Sequence, residues 1–225
     1  EFFGPVKGQL SILEDQIDPD IQMDYYRYSE KVSHEGSPVD IETLKEAIIS
    51  TDQPVEDQKN LLVRLALVDH IEAYRIIERY AREPHPALRD WANLALQESR
   101  MLIESKILDE NKILITTGLG GKGLKLRYFT ALISSDAKPF TALQRKIIRE
   151  EVIYFLEGAG GELEDISFDR EICSLISIIP LKIPVQNLFS RAIKECNVMG
   201  DFIREDYVIN NVTILSSREI RRCIR

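Results

Sequence analysis

The chain has 225 residues and a formal net charge of −8, with 44% hydrophobic and 29% charged residues. This composition is ordinary for a soluble globular protein with one large domain or two small ones. The acidic balance argues against nucleic acid as a partner, because phosphate binding needs clustered lysine and arginine, and no apolar run reaches the roughly 20 residues of a membrane span.

Residues 1–37 show no regular apolar period, and glycine and proline interrupt them, so the sequence predicts an N-terminal arm. Within it, a short helix is predicted from about Ile21 to Val32. This segment is rich in aromatic residues, among them Tyr25 and Tyr26. Two interpretations stay open. Either the aromatic residues pack the arm onto the body of the protein, or an acidic and aromatic surface contacts a partner.

A helical domain is predicted over residues 38–107, where apolar residues recur with the helical period. The predicted helices cover about 40–50, 55–68, 71–82 and 86–107. Glu83-Pro84-His85-Pro86 separates the last two helices, because proline lacks a backbone donor and restricts the residue before it. On the apolar stripe of the last helix, Trp91 is predicted to be buried between this domain and the one that follows it.

The start of that last helix carries a recognisable pattern. Pro86-Ala87-Leu88-Arg89-Asp90-Trp91-Ala92-Asn93-Leu94-Ala95-Leu96 resembles the P-x-[VL]-R-x-x-A-x-x-A-L run that begins a helix in HEAT-type helical repeats. The resemblance covers about residues 40–106. Trp91 departs from the small residue usual in such repeats, and fewer than three full repeats need another element to cap them. The resemblance implies a protein-contact module, since such repeats usually bind partners and rarely catalyse.

After residue 111 the apolar period changes from about 3.6 to 2, which indicates strands. Strands are predicted at about 112–117, 124–134, 162–168, 171–179 and 207–215, and helices at about 141–157 and 184–196. From residue 124 the order is β-α-β-β-α-β, as in ferredoxin-like domains, with one extra strand before it. The predicted fold class is therefore α+β, with a HEAT-like antiparallel helical block packed on a ferredoxin-like domain over 112–215.

Local signals add detail to this second domain. Alternation along 124–134 places Leu126 and Tyr128 on one face of the sheet and Phe129 on the other. Thr141 and Gln144 have the spacing of a helix capping box, which predicts where the first helix of the domain begins.

The candidate ligand-binding residues form a glycine-rich loop. They are Gly118, Gly120, Gly121, Lys122 and Gly123. Glycine-rich turns before a helix can cradle phosphate with backbone N–H groups. Here a strand follows the loop, and the spacing differs from that of a phosphate-binding P-loop. A hairpin turn that uses glycine at positive φ explains the same residues.

A locally basic tail is predicted over residues 216–225. Together with the two aromatic residues of the arm, its arginines are the candidate partner-binding residues: Tyr25, Tyr26, Arg218, Arg221 and Arg222. The arginines could contact an acidic partner or the acidic arm of another copy of the chain. The alternative is a solvated terminal helix.

No catalytic residue, metal site or cofactor is predicted. The three histidines, His34, His70 and His85, lack metal-ligand spacing, and the three cysteines, Cys173, Cys196 and Cys223, form no C-x-x-C pair. The low cysteine count favours a reducing, cytoplasmic compartment. An RNA-recognition module is rejected because the predicted strand at 171–179 has neither an aromatic nor a basic residue.

The sequence supports three functional hypotheses. The first is a non-catalytic protein-interaction or adaptor module, whose partner is another protein rather than nucleic acid or a membrane. The second is a small-molecule-sensing regulatory domain that uses the ferredoxin-like half, and it rests on analogy of fold. The third is an enzyme with an unrecognised site.

Overall fold

The computed structural model describes residues 10–35, 40–49, 53–109 and 112–224. It has an α+β fold with both helices and strands. The chain divides into two compact units. The helical unit contains Glu1–Ser11 and Ile17–Leu114, and the sheet unit contains Ile12–Gln16 and Ile115–Arg225. No described helix is long and apolar enough to cross a bilayer.

In the described part of the helical unit, five α-helices follow one another. They are α1 (Pro19–Glu35), α2 (Ile41–Ile49), α3 (Val55–Ala66), α4 (Ile71–Arg82) and α5 (Arg89–Leu108). A 3-10 turn at Pro86–Leu88 precedes α5. The His70 and His85 side chains cap α4 and this turn, because their Nδ1 atoms accept hydrogen bonds from the N–H groups of Glu72 and Ala87.

Helix α3 lies at the centre of the helical unit, where it contacts α1, α2, α4 and α5. Its apolar residues pack with those of α4 and α5 into a closed core. The largest fully buried aliphatic side chains of these three helices and the 3-10 turn are Leu62, Leu65, Ile77, Leu88 and Leu94. This burial, rather than helix propensity, supplies most of the stability of such short helices.

The predicted N-terminal arm is described from residue 10 to residue 35, and residues 1–9, 36 and 37 lie outside the described residues. Residues 19–35 form α1, which is longer than the helix expected at 21–32 and contacts α3 and α5. Tyr25 is fully buried. Helix α1 is therefore an integral part of the helical unit.

Trp91 is 7% exposed, so its burial is confirmed. Its ring contacts lie in the helical unit itself. The ring centroids of Tyr25 and Tyr28 are 5.2 and 5.5 Å from that of Trp91, and Lys59 Nζ lies 4.8 Å from the indole centroid. The sequence placed Trp91 between the two domains. The aromatic side chains that contact it belong to α1, 63 or more residues earlier in the chain, and no local pattern around Trp91 indicates that contact.

Two short strands, β1 (Leu10–Ile12) and β2 (Ile113–Ile115), pair with each other. The sheet unit contains a second, five-stranded sheet in its described part, with three helices. The strands are β3 (Gly121–Lys122), β4 (Lys125–Ile133), β5 (Glu162–Asp169), β6 (Ile172–Pro180) and β7 (Val208–Asn210), and the helices are α6 (Ala142–Gly158), α7 (Val185–Val198) and α8 (Ser217–Cys223).

The central strand β4 pairs with β3, β6 and β7, and β6 pairs with β5. Every one of these pairs is antiparallel. The register places Leu126 opposite Ile179 and Leu132 opposite Cys173. Strand β7 is shorter than the strand expected at 207–215, because the Asn210 side chain accepts the N–H groups of Val212 and Thr213 and turns the chain.

The two faces of the large sheet are buried by different elements. On one face Leu132, with Tyr128 beside it, packs with residues of α6 and α7, and on the other Phe129 packs with Ile220 of α8. The predicted alternation of Tyr128 and Phe129 is confirmed. The predicted capping box is confirmed too, since Thr141 Oγ1 accepts the Gln144 N–H and Gln144 Oε1 accepts the Thr141 N–H.

Candidate partner-binding groove

The glycine-rich loop is closely packed against other backbone segments of the sheet unit. A Cβ atom on Gly118 would lie 1.9 Å from the carbonyl oxygen of Val212. Gly120 has φ +68°, and a Cβ there would lie 2.4 Å from the carbonyl oxygen of Glu14. Glycine is therefore required at both positions by close backbone approach.

The N–H groups that an anionic ligand would need are already bonded within the chain. The N–H of Gly120 donates to the Thr117 carbonyl, and the N–H of Gly121 donates to the Glu14 carbonyl. The N–H of Gly123 donates to the Glu14 carboxylate at 2.9 Å. Lys122 Nζ lies 2.9 Å from Glu162. This arrangement supports the hairpin-turn interpretation of the loop.

The two candidate tyrosines lie beside Glu98 of α5. Tyr25 donates its hydroxyl to Glu98 Oε2 at 2.6 Å, and Ser29 donates to Oε1 at 2.8 Å. Burial, followed by the charge of Glu98, raises the pKa of Tyr25 and of Tyr26. The Tyr26 hydroxyl is buried without a hydrogen-bond partner in the part of the chain that the structure describes. Tyr25 is internal and offers no surface to a partner.

The candidate arginines lie on α8 of the sheet unit. Arg221 Nε lies 2.8 Å from Glu171 Oε1, which lowers the pKa of that carboxyl group. Arg218 and Arg222 are exposed. Buried Ile220 anchors the helix. The described part of the tail thus contains a short helix that packs on the unit and exposes three arginines, of which Arg221 is paired with Glu171.

No group of three or more histidine, cysteine or acidic side chains among residues 10–35, 40–49, 53–109 and 112–224 could hold a metal ion. Cys173 and Cys196 are buried, and Cys223 is exposed. Burial raises the pKa of the Cys196 thiol to about 12 and raises that of Cys173 further. Both buried thiols therefore stay protonated at neutral pH and are poor nucleophiles.

Helices α2 and α4 border a half-open groove of about 530 Å³ on the helical unit. Ile48 of α2 is buried at one side, and Ile76 and Tyr80 of α4 are half-buried at the other. Ile71, at the start of α4, also lines the groove and is 50% exposed. The Tyr80 hydroxyl donates to Gln58 of α3 at 3.0 Å, which fixes its ring beside the groove.

The same groove carries positive charge. Arg75 and Arg79 line it, are exposed, and have no ion-pair partner among the described residues. Lys45 is different, because its Nζ lies 3.2 Å from Glu42 and 3.7 Å from Glu72. The two arginines lie one helical turn apart, so both side chains project from the same face of α4.

This groove was not found from the sequence, although part of its signal is visible there. The buried residues of α4 are Ala73 and Ile77, four positions apart. Ile71 is four positions before Arg75 and eight before Arg79, on a different face of the helix. Ile71 therefore shares a face of α4 with the two arginines and not with the buried residues. A large apolar residue on such an exposed face indicates a binding surface.

The sheet unit has a second groove, of about 650 Å³, bordered by α6 and α7. Tyr154 beside it is 71% exposed. The guanidinium carbon of Arg191 lies 5.1 Å from the ring centroid of Phe155, so this cation is engaged by the aromatic ring. The charges of this groove differ from those of the groove between α2 and α4, because Glu157, which lines it, is an exposed carboxylate without an ion-pair partner among the described residues.

No protein-family model matches this chain, and a search of curated proteins gives no match. Among solved structures, the crystal structure of a "putative transposase" from Deinococcus radiodurans R1 is similar to part of this chain. The TM-score is 0.38 and the sequences are 12% identical, over 46% of this chain and 92% of that chain. A similarity of this size carries no functional argument, so the function is inferred from the chain's own residues.

Proposed function

We propose that this chain is a non-catalytic protein-interaction module, in which the groove between α2 and α4 holds part of a partner protein. The observation that carries the proposal is Ile71, a large apolar side chain 50% exposed in a concave, largely apolar surface. An apolar surface of this kind is stabilised when a partner removes it from water. The partner is another protein rather than nucleic acid or a membrane.

The finer architecture forms part of the same proposal. A HEAT-like arrangement of the helical unit is supported by contacts between successive helices, from α2 to α3, α3 to α4 and α4 to α5. A ferredoxin-like arrangement of the sheet unit is supported by the strand order β7-β4-β6-β5 and by the shared core of α6 and α7. A cytoplasmic location is supported by the three free cysteines.

The test uses two charge insertions at exposed isoleucines of the helical unit. Ile71 lies in the groove, and Ile107 of α5 is 75% exposed and does not line the groove. Tagged wild type, Ile71→Glu and Ile107→Glu are purified from the native cell, and co-purifying proteins are quantified by mass spectrometry. We expect at least one protein that is recovered with wild type and Ile107→Glu and lost with Ile71→Glu.

The recovered protein is then purified and titrated against the same three chains, so that direct binding is separated from indirect capture. Equal recovery with all three chains in the first step would overturn the proposed role of the groove. Circular dichroism and thermal unfolding of the variants show that each of them is folded.

A second function, small-molecule sensing by the sheet unit, is favoured by one observation: the groove between α6 and α7 has the size typical of ligand sites. A metabolite screen by thermal shift tests it. A ligand that raises the melting temperature of wild type and not of Tyr154→Glu would support sensing, because Tyr154 lines that groove and its side chain is 71% exposed. The absence of any such ligand would count against it.

A further inference from the structure

We propose that the groove between α2 and α4 takes an acidic amphipathic helix of the partner protein, an inference that rests on the proposed interaction function. Two features of the groove identify this occupant. Its lining surface is largely apolar, and the two of its charged side chains that have no ion-pair partner among the described residues are both positive.

The shape of the groove suits a helix. Helices α2 and α4 contact each other and border an open channel. A third helix laid between two packed helices reaches a stable interaxial distance of about 8–10 Å from both of them. The groove is bounded by helices, whose backbone groups are already bonded, so an extended peptide would find no strand edge to pair with there. Peptide recognition by such grooves uses apolar anchors on one face of a bound helix.

The apolar half of the surface supplies the anchor sites. Ile71, Ile76 and Tyr80 are all partly exposed beside the buried Ile48. Ile76 and Tyr80 are four residues apart and form a ridge along α4. Apolar residues of the occupant at three- and four-residue spacing would pack against this ridge and against Ile71.

The charged part of the groove determines the sign of the charge that its occupant carries. Arg75 and Arg79 have no ion-pair partner in the described chain, whereas Lys45 is neutralised by Glu42 and Glu72. Two guanidinium groups one turn apart match carboxylates at the same spacing on a facing helix. Each guanidinium group can donate two parallel hydrogen bonds to one carboxylate. The chain as a whole carries a net charge of −8, so two neighbouring arginines without an acidic partner are opposite in sign to the net charge of the chain.

The same residues argue against a nucleic acid in this groove. A phosphate backbone needs a series of cations, since affinity depends on the number of phosphates neutralised. Only two arginines of the groove are uncompensated, and Ile48, Ile71 and Ile76 make much of its lining apolar. An amphipathic peptide satisfies both the apolar and the cationic part of this surface.

The test is a peptide selection with matched variants of the full chain. A phage library of random peptides of about 16 residues, roughly four helical turns, is selected on wild type, on Arg75→Glu/Arg79→Glu and on Arg82→Glu/Arg89→Glu. Arg82 and Arg89 are exposed arginines of the helical unit that do not line the groove, so the second double variant controls for charge reversal outside the groove. It also removes one exposed ion pair, between Arg82 and Glu78 at 3.8 Å.

We expect peptides enriched on wild type to carry aspartate or glutamate beside apolar residues at helical spacing. The control double variant should enrich the same peptides, and Arg75→Glu/Arg79→Glu should enrich lysine and arginine at the acidic positions. The strongest acidic peptide, synthesised with a fluorescent label, should bind wild type at least about tenfold more tightly than Arg75→Glu/Arg79→Glu, a difference of about 1.4 kcal/mol. Raising NaCl from about 50 to about 500 mM should weaken it, as for any exposed charge pair.

Three results would overturn the inference: no enrichment on wild type, enrichment without an acidic bias, or equal binding of the acidic peptide to wild type and Arg75→Glu/Arg79→Glu. A dimer of the wild-type chain by light scattering that Arg75→Glu/Arg79→Glu dissociates would also overturn it, because the occupant would then be a second copy. These results can be told apart from a failure of the proposed interaction function. A native partner lost with Ile71→Glu but retained by Arg75→Glu/Arg79→Glu leaves the interaction module standing and removes only the acidic occupant.

Discussion

The hydroxyl of Tyr25 donates a hydrogen bond of 2.6 Å to the carboxylate of Glu98, and so joins α1 to α5 across 73 positions of sequence. Ser29 donates to the other oxygen of the same carboxylate at 2.8 Å. Hydrogen bonds to an ionised acceptor are stronger than those between neutral groups, and this pair is sheltered from water. Glu98 is thus the polar centre of the contact that holds the N-terminal helix on the helical unit.

Tyr25→Phe is expected to lower the free energy of unfolding by about 1.5–3 kcal/mol, because Glu98 loses a charge-assisted donor in a partly buried site. Tyr26→Phe is the informative comparison. The Tyr26 hydroxyl is buried without a partner in the described chain, so its removal should leave stability unchanged or raise it slightly. Urea unfolding of both variants checks this. Equal losses of stability for the two variants would contradict the hydrogen-bond assignment.

The same tyrosines predict a loss of stability at alkaline pH. The pKa of each phenol is raised above its ordinary value of 10.0, first by burial and then by Glu98. In the unfolded chain the phenols ionise near pH 10, whereas in the folded chain they keep their protons. The stabilisation is therefore complete below about pH 10 and is lost as the pH rises towards the folded-state pKa values, by at most about 1.4 kcal/mol per pH unit for each tyrosine.

The measurement is urea unfolding at several pH values between about 8 and 11, for wild type, Tyr26→Phe and Tyr154→Phe. Lysines ionise in the same range, so the comparison between variants carries the conclusion. Tyr26→Phe should reduce the alkaline slope. Tyr154 is 71% exposed and serves as the control, so Tyr154→Phe should keep the wild-type slope. A slope unaffected by Tyr26→Phe would show that this phenol is not buried.

Glycine substitutions in the glycine-rich loop distinguish two reasons for glycine: close packing against another backbone segment, and a positive φ angle. Gly118→Ala is expected to destabilise the protein by about 3 kcal/mol or more, because its Cβ would lie 1.9 Å from a backbone oxygen that cannot move freely. Gly123 has φ +59° with nothing within 4 Å of a Cβ, so Gly123→Ala should cost only the left-handed strain of about 1–2 kcal/mol.

Gly158, the last residue of α6, is the control for this pair of substitutions. Open space surrounds its Cβ position, and alanine favours helix, so Gly158→Ala should be neutral or stabilising by up to about 1 kcal/mol. Urea unfolding midpoints compare the three variants. If Gly118→Ala were as mild as Gly123→Ala, the loop would have room for a ligand, and the hairpin-turn interpretation would fail.

The features predicted correctly from the sequence depend on near neighbours. The capping box of Thr141 and Gln144 spans three positions, and the alternation of Tyr128 and Phe129 follows from the two-residue period of a strand. The boundary of β7 was missed because a single side chain, Asn210, bonds two backbone N–H groups and ends the strand early. Such local competition leaves little trace in the apolar pattern.

The features that were missed depend on which helices become neighbours. The bond from Tyr25 to Glu98 needs α1 to lie on α5, and nothing in either segment specifies the other. The groove likewise needs α2 beside α4, which brings Ile48 and Ile71 to one concave surface. A sequence pattern shows that Arg75 and Arg79 share a face, but only the packed unit shows that no acidic side chain of the described chain compensates them.

Trp91 is the only tryptophan of the chain, so its emission reports on one place in the helical unit. We expect a blue-shifted native spectrum, because the ring is 7% exposed and is enclosed by Tyr25 and Tyr28. Trp91→Ala should lower the free energy of unfolding by about 3–5 kcal/mol through lost burial and the cavity that remains. Trp91→Phe, which keeps an aromatic contact, should cost clearly less. Lys59→Met removes the cation over the ring together with its ion pair to the exposed Glu56, and it should change stability by about 1 kcal/mol or less. A red-shifted native spectrum together with a small effect of Trp91→Ala would instead mean that the ring is open to solvent and that α1 does not cover it.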